Sequence, residues 1–480
     1  MNYTFADFLP AIPEIFVLMM ICFILLVDLY IAKNRQIICY LLTQTTLIGA
    51  CILTAMLYKY IPVISFAHSF VLDDLAFALK FFIYGSCFFV FLYSRGYISE
   101  RNIPTGEYYV LSLFAVLGMM VLVSAQSLLT LFLGLEILSL PLYALVAIHR
   151  DSAMCSEAAM KYFVMGALAS GMLLYGMSMI YGATQSIDVD TIANVLSSVA
   201  LSQHLILIIG VVFVVVGLIF KFGAVPFHMW VPDVYQGAPT SVTLLIGSAP
   251  KIAALGMTLR LLIHAMPALS VQWQELLIVV AILSMLLGNI VAIIQKNIKR
   301  MLAYSAISHM GYMCLGLIAL DTEGYSAAMF YILAYVIMSI GAFGMIILLS
   351  KNGFEAELID DFRGLNSRSP WLAFLMLLLM FSMAGIPPTV GFFAKFGVLQ
   401  ALVNAHFTWL AVLALIFAVI GAYYYIYVIK VMYFEVPKQN TPIKTSWDMQ
   451  LAISVNGLLM LGLGLFPGVL FGICRAVFAI

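Results

Sequence analysis

The sequence has 480 residues, of which 64% are hydrophobic and only 9% are charged, and its formal net charge is zero. Soluble domains carry about 25% charged residues. The composition therefore excludes a soluble protein and predicts an all-α polytopic membrane protein that lies in the lipid bilayer. We expect no nucleic acid as a partner.

A helix of about 20 apolar residues is long enough to cross a bilayer. Apolar windows of this length predict about 14 transmembrane helices, which are called spans 1 to 14 below. Their predicted positions are 10–32, 36–58, 72–94, 107–124, 127–148, 157–182, 205–230, 240–264, 273–294, 298–320, 326–350, 370–405, 408–434 and 448–474.

The N-terminus is predicted to lie outside the cytoplasm. Asp7 and Glu14 stand where a signal peptide would carry positive charge, so span 1 is predicted to be an uncleaved helix. Lysines and arginines concentrate in cytoplasmic loops. With the N-terminus outside, 14 of these residues fall on the predicted cytoplasmic side and three fall on the other side. Both termini are therefore expected to face the periplasm. The predicted cytoplasmic residues are Lys33, Arg35, Arg95, Arg101, Arg150, Lys296, Lys299, Arg300, Lys351, Arg363, Arg368, Lys430, Lys438 and Lys444, and the other three are Lys59, Arg260 and Arg475.

Few charges are predicted inside the spans, and Glu136 is the one acid expected deep within a span. Ionisable groups in a bilayer are costly, and they are typically paired, turned inward or part of an ion path. We therefore expect the charges of spans 5, 7 and 8 to be functional, whereas Lys80 is expected to extend from the entrance of span 3 to the membrane surface. The lysines inside spans are Lys80, Lys161, Lys221, Lys251 and Lys395.

Spans 7 and 12 are predicted to be discontinuous. Lys221 comes shortly before Gly223 and Pro226, and Lys395 follows the break at Gly385–Pro388. Proline cannot donate a backbone hydrogen bond, so each break frees carbonyls that only protein or water can cover. Broken helices beside charged residues are typical of transporters.

The broken spans also indicate an internal repeat. Spans 4–8 and 9–13 form two units of five, each with a broken fourth span, and an odd number of spans inverts the second unit in the membrane. The predicted parts are residues 1–106 with spans 1–3, 107–264 with the first repeat, 265–434 with the second repeat and 435–480 with span 14.

Three segments resemble a known family. LGLEILSLPLYALVA (133–147), KFGAVPFHMWVPDVYQGAPTSVTLLIGSAPKIAALGMTLR (221–260) and NIKRMLAYSAISHMGY (297–312) resemble the antiporter-like membrane subunits of proton-pumping NADH:quinone oxidoreductase, respiratory complex I. The resemblance extends over nearly the whole chain. Lys395 stands where M-type subunits carry glutamate. L-type subunits continue into a long lateral helix, whereas this sequence reaches Ile480 just after span 14. The resemblance therefore favours the N-type branch.

The resemblance implies a proton relay. Glu136 resembles the carboxylate that pairs with the lysine of broken span 7, here Lys221. Lys251 resembles the central relay lysine, and Lys395 resembles the group from which the proton leaves toward the outside.

Three further residues match the family less decisively. His228 and His309 resemble members of the polar axis, but each is equally consistent with a neutral histidine whose hydrogen bonds are satisfied. Lys161 also matches a family position and is expected near the proton entrance.

The seven cysteines show no iron–sulfur spacing, so no redox centre or metal site is expected in this chain. The resemblance implies that NADH, FMN, iron–sulfur clusters and quinone belong to partner subunits. These partners include related antiporter-like subunits of the bacterial inner membrane. A subunit of a multisubunit cation/proton antiporter and a passive scaffold are the alternatives. Lys395 disfavours the antiporter, and the buried charges disfavour the scaffold.

Overall fold

The structure is a computed structural model, and it describes residues 5–31, 35–58, 62–198, 205–351, 353–437, 443 and 445–479. Four basic residues counted in the orientation analysis lie outside the described residues, namely Lys33, Lys438 and Lys444 on the predicted cytoplasmic side and Lys59 on the other side.

The described chain is almost entirely helical. Its α-helices are α1 (Phe5–Phe8), α2 (Ile12–Tyr30), α3 (Arg35–Leu57), α4 (Asp74–Glu100), α5 (Thr105–Val123), α6 (Leu128–Val146), α7 (Ala153–Thr184), α8 (Val189–Ser198), α9 (Leu205–Phe222), α10 (Trp230–Gly237), α11 (Thr240–Ile246), α12 (Ala249–Thr258), α13 (Ser270–Ile293), α14 (Ile298–Ile318), α15 (Thr322–Leu349), α16 (Leu365–Arg368), α17 (Pro370–Ala384), α18 (Val390–Asn404), α19 (Thr408–Phe434), α20 (Trp447–Leu465) and α21 (Pro467–Phe478). A short antiparallel hairpin, β1 (Val63–Ser65) and β2 (Phe70–Leu72), precedes α4.

The all-α membrane fold is confirmed. Within the described residues, 13 helical segments are long and apolar enough to cross a membrane. The predicted span 12 is not among them because it is divided into two shorter helices, α17 and α18. Together these segments account for the predicted 14 spans.

Both predicted breaks are present. In span 7, α9 ends at Phe222 and Gly223 adopts a positive φ of 67°, so the chain turns before α10 begins. In span 12, Gly385 has a φ of 87° and ends α17, and the following prolines delay the next helix until Val390.

Span 8 contains a break that was not predicted. Helix α11 ends at Ile246 and α12 begins at Ala249, so Gly247 and Ser248 interrupt the span just before Lys251. After α12 the span ends as a π-helix, Leu259–Ala265. Pro250 is the second residue of α12, and a proline in the first turn is typical of a helix start, so the sequence carries a signal for this break that the apolar windows missed.

The chain forms two compact units. The first comprises residues 1–91, 102–221 and 249–276. Helix α5 is buried along most of its length and packs against α2, α3, α6 and α12. A Cβ atom at Gly118 of α5 would collide with the backbone of Leu138 on α6, so the close approach of these two helices requires glycine at this position.

The second unit comprises residues 92–101, 222–248 and 277–480. Helices α14 and α15 form its core, since nearly all of their residues are buried. Helices α11, α17, α18, α20 and α21 pack against α15, and α10 packs against α14. The division into two inverted five-span repeats stays a prediction.

Candidate functional site

The first candidate site is built on one face of α6. Glu136 and Ser139 are three residues apart, so their side chains project from the same face of the helix. Lys221, at the end of α9, donates a hydrogen bond from its Nζ to Ser139 Oγ over 2.8 Å. The Ser139 hydroxyl in turn donates to the Leu135 carbonyl over 2.7 Å. The structure therefore brings Lys221 to the helix that carries Glu136.

Glu136 has an unusual position beside this hydrogen bond. Its Oε1 atom is buried and has no hydrogen-bond partner among the described residues. Among the described residues this carboxylate forms no direct ion pair with Lys221, whose ammonium bonds to Ser139 instead. A carboxylate that is not fixed by hydrogen bonds can change its distance from a cation on a neighbouring helix at little cost.

Lys251 lies next to the same site. Its side chain is buried on α12, and its Nζ atom lies 3.4 Å from the backbone carbonyl oxygen of Lys221. This carbonyl is near the C-terminal end of α9, where carbonyl groups lack helical partners and the helix dipole is negative. The end of α9 thus places a favourable dipole beside a second buried lysine.

Lys395, in the second unit, is bound differently. Its Nζ donates to the carbonyl oxygens of Met383 and Ala384, over 3.2 Å and 2.8 Å. These carbonyls lie in the last turn of α17, and they are exposed to the lysine because α17 ends at Gly385. The ammonium also lies 5.1 Å from the centre of the Tyr312 ring, within cation–π range. Among the described residues no carboxylate forms an ion pair with it.

His309 is held between two tyrosines. Its Nδ1 lies 2.8 Å from the Tyr331 hydroxyl and its Nε2 lies 3.0 Å from the Tyr425 hydroxyl. A neutral imidazole has one donor and one acceptor nitrogen, so both hydrogen bonds can form at once. The Tyr425 hydroxyl also contacts Ser305. The result is a continuous hydrogen-bonded chain of side chains, to which Lys395 is electrostatically coupled.

His228 and Lys161 lie in different surroundings. His228 is in the turn between α9 and α10, and its Nδ1 atom is buried without a hydrogen-bond partner in the described part of the chain. Lys161 is 45% exposed on α7 and forms an ion pair of 2.9 Å with Glu157, one turn earlier. Their roles in the relay stay predictions.

A buried ion pair joins α2 and α4, and it was not predicted. Lys80 Nζ lies 2.6 Å from Glu14 Oε1, with side-chain exposures of 0% and 7%. The expectation that Lys80 extends to the membrane surface is therefore wrong, because Glu14 neutralises it inside the protein. Glu14 is a buried acid within α2, whereas Glu136 is only half-buried.

Arg260 was counted as a loop residue in the orientation analysis, and this assignment is wrong. It lies in the π-helix, is 1% exposed, and forms two hydrogen bonds with Asp73 of 2.6 Å and 2.7 Å. Burial alone would raise the pKa of the Asp73 carboxyl, but the Arg260 guanidinium and the Ala76 backbone N–H outweigh it and lower this pKa. Bidentate pairing makes Arg260 a fixed charge.

The residues of these sites offer no metal-binding geometry. In the chain as described, no group of three or more His, Cys, Asp or Glu side chains could hold a metal ion. The seven cysteines are all free thiols. The arrangement instead offers buried or half-buried ammonium groups with polar partners, and such groups can bind and release protons.

Comparisons with known proteins give a consistent result. The family described as "NADH:quinone oxidoreductase/Mrp antiporter, TM" matches residues 125–421. The chain is 59% identical over 477 residues to NADH-quinone oxidoreductase subunit N of Coxiella burnetii, covering 98% of this chain and 99% of that protein. It is 55% identical over 473 residues to subunit N of Thioalkalivibrio sulfidiphilus, covering 98% of each.

A solved structure has the same fold. A chain of respiratory complex I from Thermus thermophilus with bound aureothin superposes with a TM-score of 0.81 at 30% identity, covering 96% of this chain and 99% of that one.

Proposed function

The chain belongs to the NADH:quinone oxidoreductase/Mrp antiporter family of membrane proteins, and from this premise we propose that it moves protons as a membrane subunit of an NADH:quinone oxidoreductase. The observation that carries the proposal is the hydrogen bond of Lys221 to Ser139 beside the unbonded Glu136 carboxylate. The N-type branch is favoured because relatives of 50% to 59% identity over nearly the whole chain are named subunit N. The antiporter alternative lacks such support.

Proton uptake and transfer begin at Lys221 in this proposal. Burial favours a neutral lysine, whereas a nearby carboxylate favours the charged ammonium. When Glu136 is close, Lys221 holds its proton. When Glu136 is protonated or turns away, Lys221 releases the proton toward Lys251, whose ammonium group lies near the Lys221 carbonyl.

Proton release takes place at Lys395 in this proposal. Lys395 lies among carbonyls and a tyrosine ring, and the His309 chain of hydroxyl groups beside it can pass a proton by exchange of hydrogen bonds. Bridging waters are needed where side chains stand beyond hydrogen-bond reach. His228 and Lys161 serve as a further polar group and an entrance group.

The redox chemistry belongs to partner subunits in this proposal. NADH, FMN, iron–sulfur clusters and quinone bind there, since this chain has no iron–sulfur cysteine spacing. The chain is a multi-pass protein of the bacterial inner membrane and is assembled with other membrane subunits, including related antiporter-like ones. Both of its termini face the periplasm.

Purification of the native assembly through a tag on this chain tests the function. Flavin and iron–sulfur absorbance should accompany the chain, and NADH should drive proton uptake into inverted vesicles. If the chain purifies without these chromophores and supports sodium/proton exchange in the absence of NADH, the proposal is wrong and the antiporter alternative holds.

Single-cysteine labelling tests the orientation. Arg363→Cys should react with an impermeant thiol reagent only from the cytoplasm, and Asp190→Cys only from the periplasm. Labelling of both from the same side would contradict the 14-span arrangement.

A further inference from the structure

A cavity of about 490 Å³ lies at one end of the second unit. It is formed where α4 and α15 end and where α20 begins, so three helix ends meet around it. Its volume is in the range of small-molecule sites. The proton relay uses none of its lining residues.

The charged groups of the cavity are balanced. Arg95 and Lys351 contribute two positive charges, and Glu100 and Asp448 contribute two negative charges. Arg95 and Asp448 form an ion pair across the cavity lining, with 3.5 Å between Nη1 and Oδ2. A cavity with both signs fits a ligand that itself carries both signs, whereas a purely anionic ligand would meet the two carboxylates.

The surroundings of the cavity are those of a membrane interface. Trp447 lines the cavity and is 78% exposed, and tryptophan is enriched at the level of lipid headgroups. The exposed side chains of Leu451, Val455 and Leu458 continue from Trp447 along one face of α20. An apolar stripe therefore begins at the charged cavity and runs along the helix.

A second indole lies beside this stripe. Trp371 on α17 is 41% exposed, and its Nε1 donates to Ser454 Oγ on α20 over 2.8 Å. The two tryptophans thus border an apolar surface that begins at the charged cavity. A phospholipid has the same order of polarity, with a charged headgroup followed by apolar acyl chains.

We propose that this cavity binds the headgroup of a phosphatidylethanolamine molecule. Arg95 and Lys351 bind the phosphate, Asp448 and Glu100 accept hydrogen bonds from the ammonium, and one acyl chain lies along the α20 stripe. The ammonium of ethanolamine donates hydrogen bonds to carboxylates, whereas the methylated ammonium of phosphatidylcholine has no N–H to donate. This site is independent of the proton relay.

Photo-crosslinking of the complete complex in nanodiscs tests the proposal. Phosphatidylethanolamine with a photoreactive group near the start of one acyl chain should label peptides that contain Trp447–Leu451 and Leu92–Glu100. Unlabelled phosphatidylethanolamine should compete about tenfold better than phosphatidylcholine, the ratio expected for one charge-assisted hydrogen bond. Equal competition by phosphatidylcholine would overturn the proposal without any variant.

Variants identify the groups that bind the lipid. Arg95→Gln combined with Lys351→Gln should reduce labelling about tenfold or more, and Asp448→Asn should reduce the preference for phosphatidylethanolamine, since Glu100 remains as an acceptor. Arg150→Gln is the matched control, because Arg150 is exposed, lies outside the cavity and should not affect labelling.

Two other results would also overturn the proposal. Soluble glycerophosphoethanolamine that competes as well as the intact lipid would mean that the cavity binds a free zwitterion. Labelling of a partner subunit in place of these peptides would mean that a protein segment covers the cavity.

Discussion

The two lysines beside helix breaks, Lys221 and Lys395, have different kinds of partner. Lys221, in the first unit, bonds to a serine hydroxyl on a helix that also carries an unbonded carboxylate. Lys395, in the second unit, bonds to two backbone carbonyls and faces a tyrosine ring. A side-chain carboxylate can move or take up a proton, whereas backbone carbonyls at a helix end can do neither.

In the proposed relay, this difference gives the two sites different tasks. In that relay, Glu136 switches the proton affinity of Lys221, because no hydrogen bond from the described residues holds the buried Oε1 of its carboxylate in place. Lys395 has a fixed environment, so its proton affinity changes only when a charge arrives from elsewhere. Dipoles of fixed orientation, such as the carbonyls around Lys395, stabilise a charge without reorganisation of the surrounding protein. Such an environment suits the proposed role of Lys395 as the group that releases protons in one direction.

The largest effect is expected at Lys395. Arginine does not deprotonate in proteins, so Lys395→Arg should reduce NADH-driven proton pumping by more than about tenfold, a change of roughly 1.4 kcal/mol. Lys395→Glu keeps a titratable group and should retain part of the activity. Proton uptake into inverted vesicles measures both variants after a native gel has shown intact assembly.

Lys430→Arg is the matched control for this substitution, since Lys430 lies near the end of α19 and contacts the Tyr427 ring. It should pump normally. Normal pumping by Lys395→Arg together with failure of Lys395→Glu would mean that Lys395 is a structural cation. The different partners of Lys221 and Lys395 would then not reflect different tasks in proton transfer.

Coupling between Glu136 and Lys221 should be the next largest effect. Glu136→Ala and Lys221→Ala should each impair pumping strongly, because each leaves a buried partner group unpaired. The double variant should lose less than the sum of the two, with a coupling of about 0.5–3 kcal/mol. The exposed pair Glu107 and Arg150 is the control and should give additive, small effects. Additivity at Glu136 and Lys221 would show that the carboxylate is not a switch.

A smaller effect is expected at Ser139. Ser139→Ala removes the hydroxyl that accepts from Lys221. A full loss of a hydrogen bond to a charged group costs about 1.5–3 kcal/mol, but water can replace the hydroxyl, so pumping should fall by less than about tenfold. Ser139→Thr should retain activity. Ser170→Ala changes another buried serine of the first unit and should have little effect. A Ser139→Ala variant with full activity would mean that Glu136 alone holds Lys221.

The smallest effect on pumping is expected at Asp73, where the cation Arg260 cannot titrate. Asp73→Asn should leave pumping per assembled complex near wild type but should lower thermal stability, since breaking a buried pair costs about 3–5 kcal/mol. The lowered pKa of Asp73 means that its stabilisation is complete above the unfolded value of about 3.9 and is lost as pH falls through the folded value.

Thermal unfolding of the purified complex measures this dependence. The difference between wild type and Asp73→Asn should be constant from about pH 8 to 5 and should shrink below about pH 4. A difference that already disappears near neutral pH would mean that Asp73 is not held ionised by Arg260.

The sequence predicted features that depend on local composition. Apolar windows located the spans. Pro226 and Pro388 located two breaks, because a residue without a backbone N–H interrupts the helix at its own position. The break at Gly247 was missed because an average over an apolar window hides the signal of Pro250, which stands in the first turn of α12. Arg260 was misplaced because a window average cannot distinguish a loop from a buried helix end.

Partners from distant parts of the chain could not be predicted in the same way. The Lys395 partners are backbone carbonyls, which every residue has, so no side-chain type marks them. The contact of Glu14 with Lys80 depends on how spans 1 and 3 pack. Ser139 was within reach of sequence reasoning, because it lies three residues from Glu136 on the same helical face.

The Glu14–Lys80 pair has a consequence for membrane insertion. A carboxylate in span 1 and an ammonium in span 3 are each costly when exposed to lipid, and they neutralise one another only when both helices are present. Because 66 residues separate them, span 1 must wait roughly 3–13 s at ordinary rates of synthesis before Lys80 is made. Span 1 therefore has to remain beside the translocon, or beside water, until span 3 arrives, and the first three helices enter the bilayer as one group.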